Sequence, residues 1–360
     1  MQPELALTLR RIANDGAREF YTGKTAELLV AEMERHGGLI SREDLRSYRP
    51  VIRQPVHGRY RGYDVYSMPP PSSGGVHVVQ LLNILEGYPL KETGHNAART
   101  IQLLAEAMKR AYADRSQYLG DSDFVKVPLQ ALTAKDYAAA IREQIAAGGV
   151  TPSAAIAPGK LAPYESDQTT HFSVVDRFGN AVANTTTINF SYGSGIVVDG
   201  AGFLLNNEMD DFAAKPGVPN AYGVVGSAAN AIEPEKRMLS SMTPTILLQD
   251  GRVAMVVGTP GGATIFTSVF QAILNIVDFD MSAFAATDAA RFHHQLLPPD
   301  AIYYGPSRPL PPETVSGLEG RGYRVTATWD FGDLQLIYVD DGEVSAASDP
   351  RHGGESRVFD

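Results

Sequence analysis

Apolar positions fall at helical spacing from the start of the chain. Leu5, Leu7, Leu9 and Ile12, with charges between them, predict a first helix ending near Gly16. Ala26, Leu28, Leu29, Ala31 and Met33 predict an amphipathic helix after Thr22 that stops at Gly37-Gly38, and Ser41 is placed to cap a short helix through Leu45. Val56, Tyr60, Tyr63, Val65 and Tyr66 around Gly62 predict a β-hairpin. Met68 to Gly75 is a rigid turn leading into a helix with Val78, Leu81, Leu82, Ile84 and Leu85. Ser72 or Ser73 is a candidate cap that leaves backbone N–H groups directed toward a site. Helices follow from about 97 to 118 and 133 to 147, then residues 149–168 carry Gly, Pro, Ser and Ala with little periodicity and suit an exposed, processed linker.

Alternation returns at Phe172, Val174 and Ala181 to Ala183 around Asp176-Arg177-Phe178-Gly179-Asn180, a second hairpin. Strands are predicted near Phe203 to Leu205, Thr245 to Leu248, Val253 to Val257, Arg324 to Thr328 and Leu336 to Val339. The Gly-, Pro- and Asn-rich loop from Ala213 to Ala229 has the length of a lid. Gly261-Gly262 opens an apolar helix through Ile265, Val269, Ile273 and Ile276. Helices before strands before helices imply α+β layering of helix on sheet.

Composition narrows the class without choosing within it. The 360 residues, 44% hydrophobic and 20% charged, fit a globular chain of two or three domains or one large unit. A formal charge of −10 argues against a nucleic-acid partner. The absence of cysteine excludes disulfides, thiolate catalysis and Cys-ligated zinc. No apolar run reaches membrane-span length, and Met1 to Glu4 lacks signal-peptide features.

Several stretches yield to ordinary explanations. Gly23-Lys24-Thr25 lacks the upstream glycine of a phosphate loop, where Arg18 stands, and follows a helix. Adjacent His293 and His294 do not chelate one metal easily and read as structural; Asp121 and Asp123 read as Asx-turn residues. By residue type alone, Thr169, Thr170 and Thr185 to Thr187 belong to a Thr-rich hairpin. Three stretches carry more. Asn206 to Phe212 is a polar run that is either a solvated turn or, through Glu208 and Asp211, a grip for an ammonium group. Lys236 to Pro244 offers hydroxyls and N–H groups suited to a carboxylate. Thr259-Pro260-Gly261-Gly262 joins close backbone approach to a helix N-terminus, the makings of an oxyanion hole.

Taken together, Thr169-Thr170-His171-Phe172-Ser173-Val174-Val175-Asp176 resembles the start of the small subunit of γ-glutamyltranspeptidases. Further matching motifs follow in order: Ser67 to Gly75, Leu204 to Phe212, Pro216 to Gly226, Lys236 to Pro244, Gly258 to Gly262, Ala290 to Gln295 and Ser348 to Arg351. The resemblance implies a four-layer αββα N-terminal nucleophile hydrolase fold, incomplete at its N-terminus. It implies self-cleavage between Gln168 and Thr169 into residues 1–168 and 169–360, which then form a heterodimer, with Thr169 as nucleophile and its own amine as base.

By the same resemblance Thr187 supports the nucleophile, and Asn189, Glu208 and Asp211 hold the γ-glutamyl amino end. Ser240 and Ser241 hold the α-carboxylate, Gly261 and Gly262 form the oxyanion hole, and Tyr222 is a lid residue. The implied reaction takes glutathione or another γ-glutamyl amide to water, an amino acid or a dipeptide, with no cofactor or metal, in a periplasmic or secreted setting away from membrane and nucleic acid. The family's carboxylate-binding Arg has no counterpart here, so substrate binding and maturation of the chain alone are expected to be weakened. Competing expectations are a related acylase, of the cephalosporin acylase or poly-γ-glutamate type, and an unprocessed, inactive remnant.

Overall fold

The structure, a computed structural model, describes residues 1–145, 149–156, 169–213, 215–218 and 226–359. Gln168 and Tyr222, and with them residues 157–168 of the predicted linker and residues 214 and 219–225 of the predicted lid, lie outside the described residues. The chain forms two compact units, one of residues 1–53 and 188–208, the other of residues 54–187 and 209–360. This spatial division does not follow the 168/169 boundary.

The first unit holds α1 (Pro3–Asp15), α2 (Ala17–Thr22), α3 (Lys24–His36) and α4 (Arg42–Ser47). The predicted stops hold: Gly37 takes the left-handed conformation after α3, and Ser41 closes a capping box with Asp44 at the start of α4. Ala26, Leu29, Val30 and Met33 of α3 pack with Leu45, Val198 and Ala201 into one core. Phe203 to Leu205 is not a strand. Only the single bridge Val197–Leu204 forms, because Gly200 and Gly202 turn the chain back through left-handed φ before a ladder can extend.

The second unit is built on an antiparallel six-stranded sheet, in the order β1 (Val56–Tyr60), β2 (Tyr63–Ser67), β5 (Thr245–Gln249), β6 (Arg252–Gly258), β10 (Gln335–Asp340), β11 (Glu343–Ser348). Its helices are α5 (Gly74–Leu85), α6 (Leu90–Thr93), α7 (Ala98–Tyr118), α8 (Leu129–Leu132) and α9 (Lys135–Gln144). Next come the hairpin strands β3 (Thr170–Val175) and β4 (Ala181–Thr186), then β5 (Thr245–Gln249), β6 (Arg252–Gly258), α10 (Ile265–Val277) and α11 (Ala283–Asp288). β7 (Phe292–His293), β8 (Ala301–Tyr304), α12 (Pro312–Glu319) and β9 (Arg324–Ala327) precede β10 (Gln335–Asp340) and β11 (Glu343–Ser348). Strands β7, β8 and β9 make a small separate sheet.

Helices α5 and α10 are apolar and almost wholly buried, and they pack on each other and on the large sheet. The β3–β4 hairpin lies against β6 and β10. Ala254 to Gly258 of β6 are buried without alternation, as a strand covered on both faces requires.

The hairpin is oriented against the simplest reading of its alternation. Small and polar positions, His171, Ser173, Ala183 and Thr185, are the less exposed set, whereas Phe172 and Val174 remain 47% and 49% exposed. The reason is local. His171 spends both ring nitrogens inward, on Thr185 Oγ1 (2.8 Å) and Ser173 Oγ (3.1 Å), and Ser173 Oγ donates to the Gln335 carbonyl at 3.2 Å. A Cβ at Gly258 would collide with the His171 ring, so the glycine is what lets β6 come this close to β3.

Candidate active site

Thr169 sits just before β3 and Thr187 just after β4, so the register Thr170–Thr186 sets them side by side. Thr169 Oγ1 donates to Thr187 Oγ1 at 3.3 Å. His171, next but one along β3, is held near a pKa of about 4 by burial and is neutral at physiological pH. It serves as a packing and hydrogen-bonding residue beneath the threonine pair.

Gly258 leads directly into the glycine turn. Gly261 has φ 134° and Gly262 φ 51°, conformations that L side chains rarely adopt. The Gly261 carbonyl accepts from Thr264 N (2.8 Å) and Thr264 Oγ1 (2.7 Å), which fixes the turn at the head of α10. The Gly261 and Gly262 N–H groups reach no acceptor among the described residues, and Gly261 is buried. Two such donors at a helix start are ready to receive a developing negative charge.

Ser240 and Ser241 are clamped by the Pro69–Ser73 turn. Ser240 N donates to Pro71 O and Ser73 N to Ser240 O, each at 2.8 Å, and Ser72 Oγ donates to Met242 O at 2.7 Å. Ser73 does not cap α5 with its side chain; its hydroxyl donates to Ser240 O (3.0 Å) and accepts from Arg115 Nε (3.0 Å). Asp211 is tied to the same region through Asn230, whose Nδ2 donates to Asp211 O (2.8 Å) while its Oδ1 accepts from Leu239 N (3.0 Å).

In the other unit, Asn189 and Glu208 are drawn together by Asn207. Asn189 is buried with φ 73°; its Nδ2 donates to Asn207 O at 3.3 Å, and Asn207 Oδ1 accepts from Phe190 N at 3.0 Å. Burial pushes the Glu208 carboxyl up to about 7. Within the polar run at 206–212, Asn206, Met209 and Asp210 are exposed, Asn207, Glu208 and Asp211 are half-buried and Phe212 is buried.

Two residues of this region are absent from the sequence reading. Asn230 offered no signal, since one Asn in a loop is unremarkable. Arg115 had one: it continues the stripe Leu104, Met108, Ala111, Tyr112 at helical spacing, and a cation in an apolar stripe is anomalous. His293 and His294 are structural as expected; His293 Nδ1 bonds Thr267 Oγ1 at 2.9 Å, and His294 Nδ1 bonds Ala301 O at 2.6 Å. Asp121 Oδ1 accepts from Asp123 N at 3.1 Å, the anticipated Asx turn. Among the described residues, no cluster of three His, Cys, Asp or Glu side chains is arranged to hold a metal, and no helix is long and apolar enough to cross a membrane.

The family model described as gamma-glutamyltranspeptidase matches residues 1–359. A glutathione hydrolase proenzyme of Escherichia coli (strain K12) is 54% identical over 352 residues, which is 98% of this chain and 60% of that protein. A gamma-glutamyltranspeptidase from Pseudomonas nitroreducens complexed with L-DON is 55% identical, with a TM-score of 0.52 over 53% of this chain and 100% of that one. A cephalosporin acylase from Bacillus halodurans is 27% identical, with a TM-score of 0.85 over 99% of this chain and 62% of that one, so the N-terminal nucleophile hydrolase fold is shared. The chain spans about six-tenths of the length of the curated relative. With the threonine pair, the glycine turn and the clamped serines in place, the chain belongs to the γ-glutamyltranspeptidase family.

Proposed function

We propose that the chain carries the nucleophilic half of a γ-glutamyl transfer and hydrolysis site, and that glutathione or a related γ-glutamyl amide is the donor. The observation that carries this is the Thr169–Thr187 hydroxyl pair beside the strand that runs on into the Gly261 and Gly262 N–H groups, which reach no acceptor among the described residues.

Cleavage of the Gln168–Thr169 bond frees the Thr169 α-amine. Thr169 Oγ then attacks the γ-carbonyl carbon and passes its proton to that amine. The Gly261 and Gly262 N–H groups hold the oxyanion. The C–N bond breaks, the leaving amine takes the proton, and a γ-glutamyl ester of Thr169 remains. Water gives glutamate from this ester; an amino acid or dipeptide gives a new γ-glutamyl amide. Thr187 orients the nucleophile by accepting its hydrogen bond before the amine is free.

By the family resemblance, Ser240 and Ser241 are assigned to the α-carboxylate, and Asn189, Glu208 and Asp211 to the α-ammonium. Holding both ends of the amino acid fixes the γ-carbonyl against the hydroxyl. Processing would leave residues 1–168 and 169–360 as a heterodimer. The solved γ-glutamyltranspeptidase chain supports this, because 53% of 360 residues is about 191, close to the 192 from Thr169 to the end. A periplasmic or secreted setting is part of the same proposal.

Intact-mass spectrometry of the purified chain before and after incubation at neutral pH tests the reading. Two fragments, the smaller beginning Thr169-Thr170-His171, are expected, with Thr169→Ala remaining one mass. A single uncut mass near 38.8 kDa in the unaltered chain would overturn it. The likeness to the cephalosporin acylase supports a second reading with a different acyl donor. A glutaryl anilide, which lacks only the α-ammonium, separates the two: the γ-glutamyl reading expects it to be the poorer substrate.

A further inference from the structure

Arg115 lies near the C-terminal end of α7 and is 6% exposed. Buried arginines are normally neutralised by a carboxylate, because an unpaired charge in the interior is costly. Arg115 is not: among the described residues no carboxylate oxygen comes within 4.0 Å of it. Its guanidinium is spent on two hydroxyls, Ser73 Oγ through Nε at 3.0 Å and Ser241 Oγ through Nη2 at 3.1 Å. Asp211 acts on Arg115 through space without bonding to it.

The direction of these bonds matters. Ser241 Oγ accepts from the guanidinium, and its own hydrogen finds no acceptor among the described residues. Ser240 Oγ likewise accepts, from Met242 N at 3.0 Å, and keeps its hydrogen. The result is two O–H donors on successive residues, one of them polarised by a buried cation. Planar, bidentate anions such as carboxylates match this arrangement.

The position also fits. Tyr112, one helical turn before Arg115 on the same face of α7, donates from its hydroxyl to Ala263 O at 2.5 Å, at the glycine turn. α7 therefore contacts both the glycine turn, through Tyr112, and Ser241, through Arg115.

We propose that Arg115 is a positioning and specificity-determining residue: acting through Ser241 and Ser73, it supplies the positive charge that makes the Ser240–Ser241 pair select ligands with an α-carboxylate. The inference rests on the γ-glutamyl reading and assigns the selectivity of its carboxylate end to a residue of this chain.

The test compares binding of L-glutamate and 4-aminobutyrate, which lacks only the α-carboxylate, by calorimetry on the 360-residue chain. The unaltered chain is expected to prefer glutamate. Arg115→Met is expected to weaken glutamate by on the order of 10- to 100-fold while moving 4-aminobutyrate by less than about twofold. Arg115→Lys keeps the charge but cannot span both serines, and is expected to lose several-fold of the preference, also for glutamate alone. It serves as the readout if the Met variant fails to fold. Equal weakening of both ligands, or a preference that survives in the variants, would overturn the role of Arg115 and leave the γ-glutamyl reading standing. An unaltered chain with no preference for glutamate would instead remove the γ-glutamyl reading, and this inference with it.

Discussion

Glu208 is the residue on which the proposed ammonium grip turns, and burial gives it an unusual acidity. With a carboxyl pushed up to about 7 against an ordinary value of 4.5, it is largely protonated at pH 5–6 and becomes a carboxylate only as pH rises through neutrality. A carboxylate is needed to attract an ammonium, so affinity for a γ-glutamyl ligand is expected to rise with pH through about 7. In Glu208→Gln the binding profile should be flat over that range; a Gln variant that keeps the rise would assign it to another group. The same raised acidity makes Glu208 a stability term with a defined sign. Its contribution is fully present below about pH 4.5 and is lost as pH rises through 7, because the folded state resists the ionisation that the unfolded chain accepts freely.

Among the elements, the β3–β4 hairpin and β6 decide whether the chemistry is assembled. Gly258 is the contact: a methyl group there would strike the His171 ring, whose nitrogens are already committed to Thr185 and Ser173. Gly258→Ala is expected to cost about 1–3 kcal/mol of stability by overpacking and, by displacing β3, to slow cleavage before Thr169. Denaturant unfolding alongside the processing rate checks both; unchanged processing would detach the hairpin position from Thr169.

These elements were legible in the sequence wherever punctuation was explicit. Gly37, Ser41, Gly62 and the Asp176–Asn180 turn ended or joined elements as their chemistry requires. What was hidden depended on tertiary placement. Alternation announced a hairpin but not which face turns inward, since His171 and Ser173 find their partners on other strands. Phe203 to Leu205 looked like a strand because its apolar content, not its neighbouring glycines, dominated the pattern. The serine pair and the glycine turn were readable as stretches suited to a carboxylate and an oxyanion, whereas Thr169 and Thr187 stood out only through the family resemblance. Arg115 and Asn230 were not, because their meaning lies in what they touch.

At the scale of the molecule, the C-terminal part is pinned by a buried ion cluster. Asp349 accepts from Arg291 Nη2 at 2.5 Å and from Arg351 Nη1 at 3.0 Å, with all three side chains buried. Burial alone would push its carboxyl up, yet Arg291 and Arg351 together hold it below the ordinary carboxylate range. Its stabilising contribution is therefore present above about pH 3.9 and is lost as pH falls below that. Asp349→Asn leaves two buried guanidinium groups short of an anion and is expected to cost about 3–5 kcal/mol. Thermal and urea unfolding of the variant across pH 3–7 measures this; a cost near zero, or one that does not shrink in acid, would contradict it.

The central claim is that Thr169 is the atom donor to the acyl-enzyme. Incubating the processed chain with a γ-glutamyl anilide, quenching in acid within seconds and mapping the adduct by peptide mass spectrometry tests it directly. A γ-glutamyl group on Thr169 at the N-terminus of the smaller fragment, absent from Thr169→Ala, is the predicted result. Release of the aniline with no adduct on Thr169, or an adduct on another residue, would contradict the account.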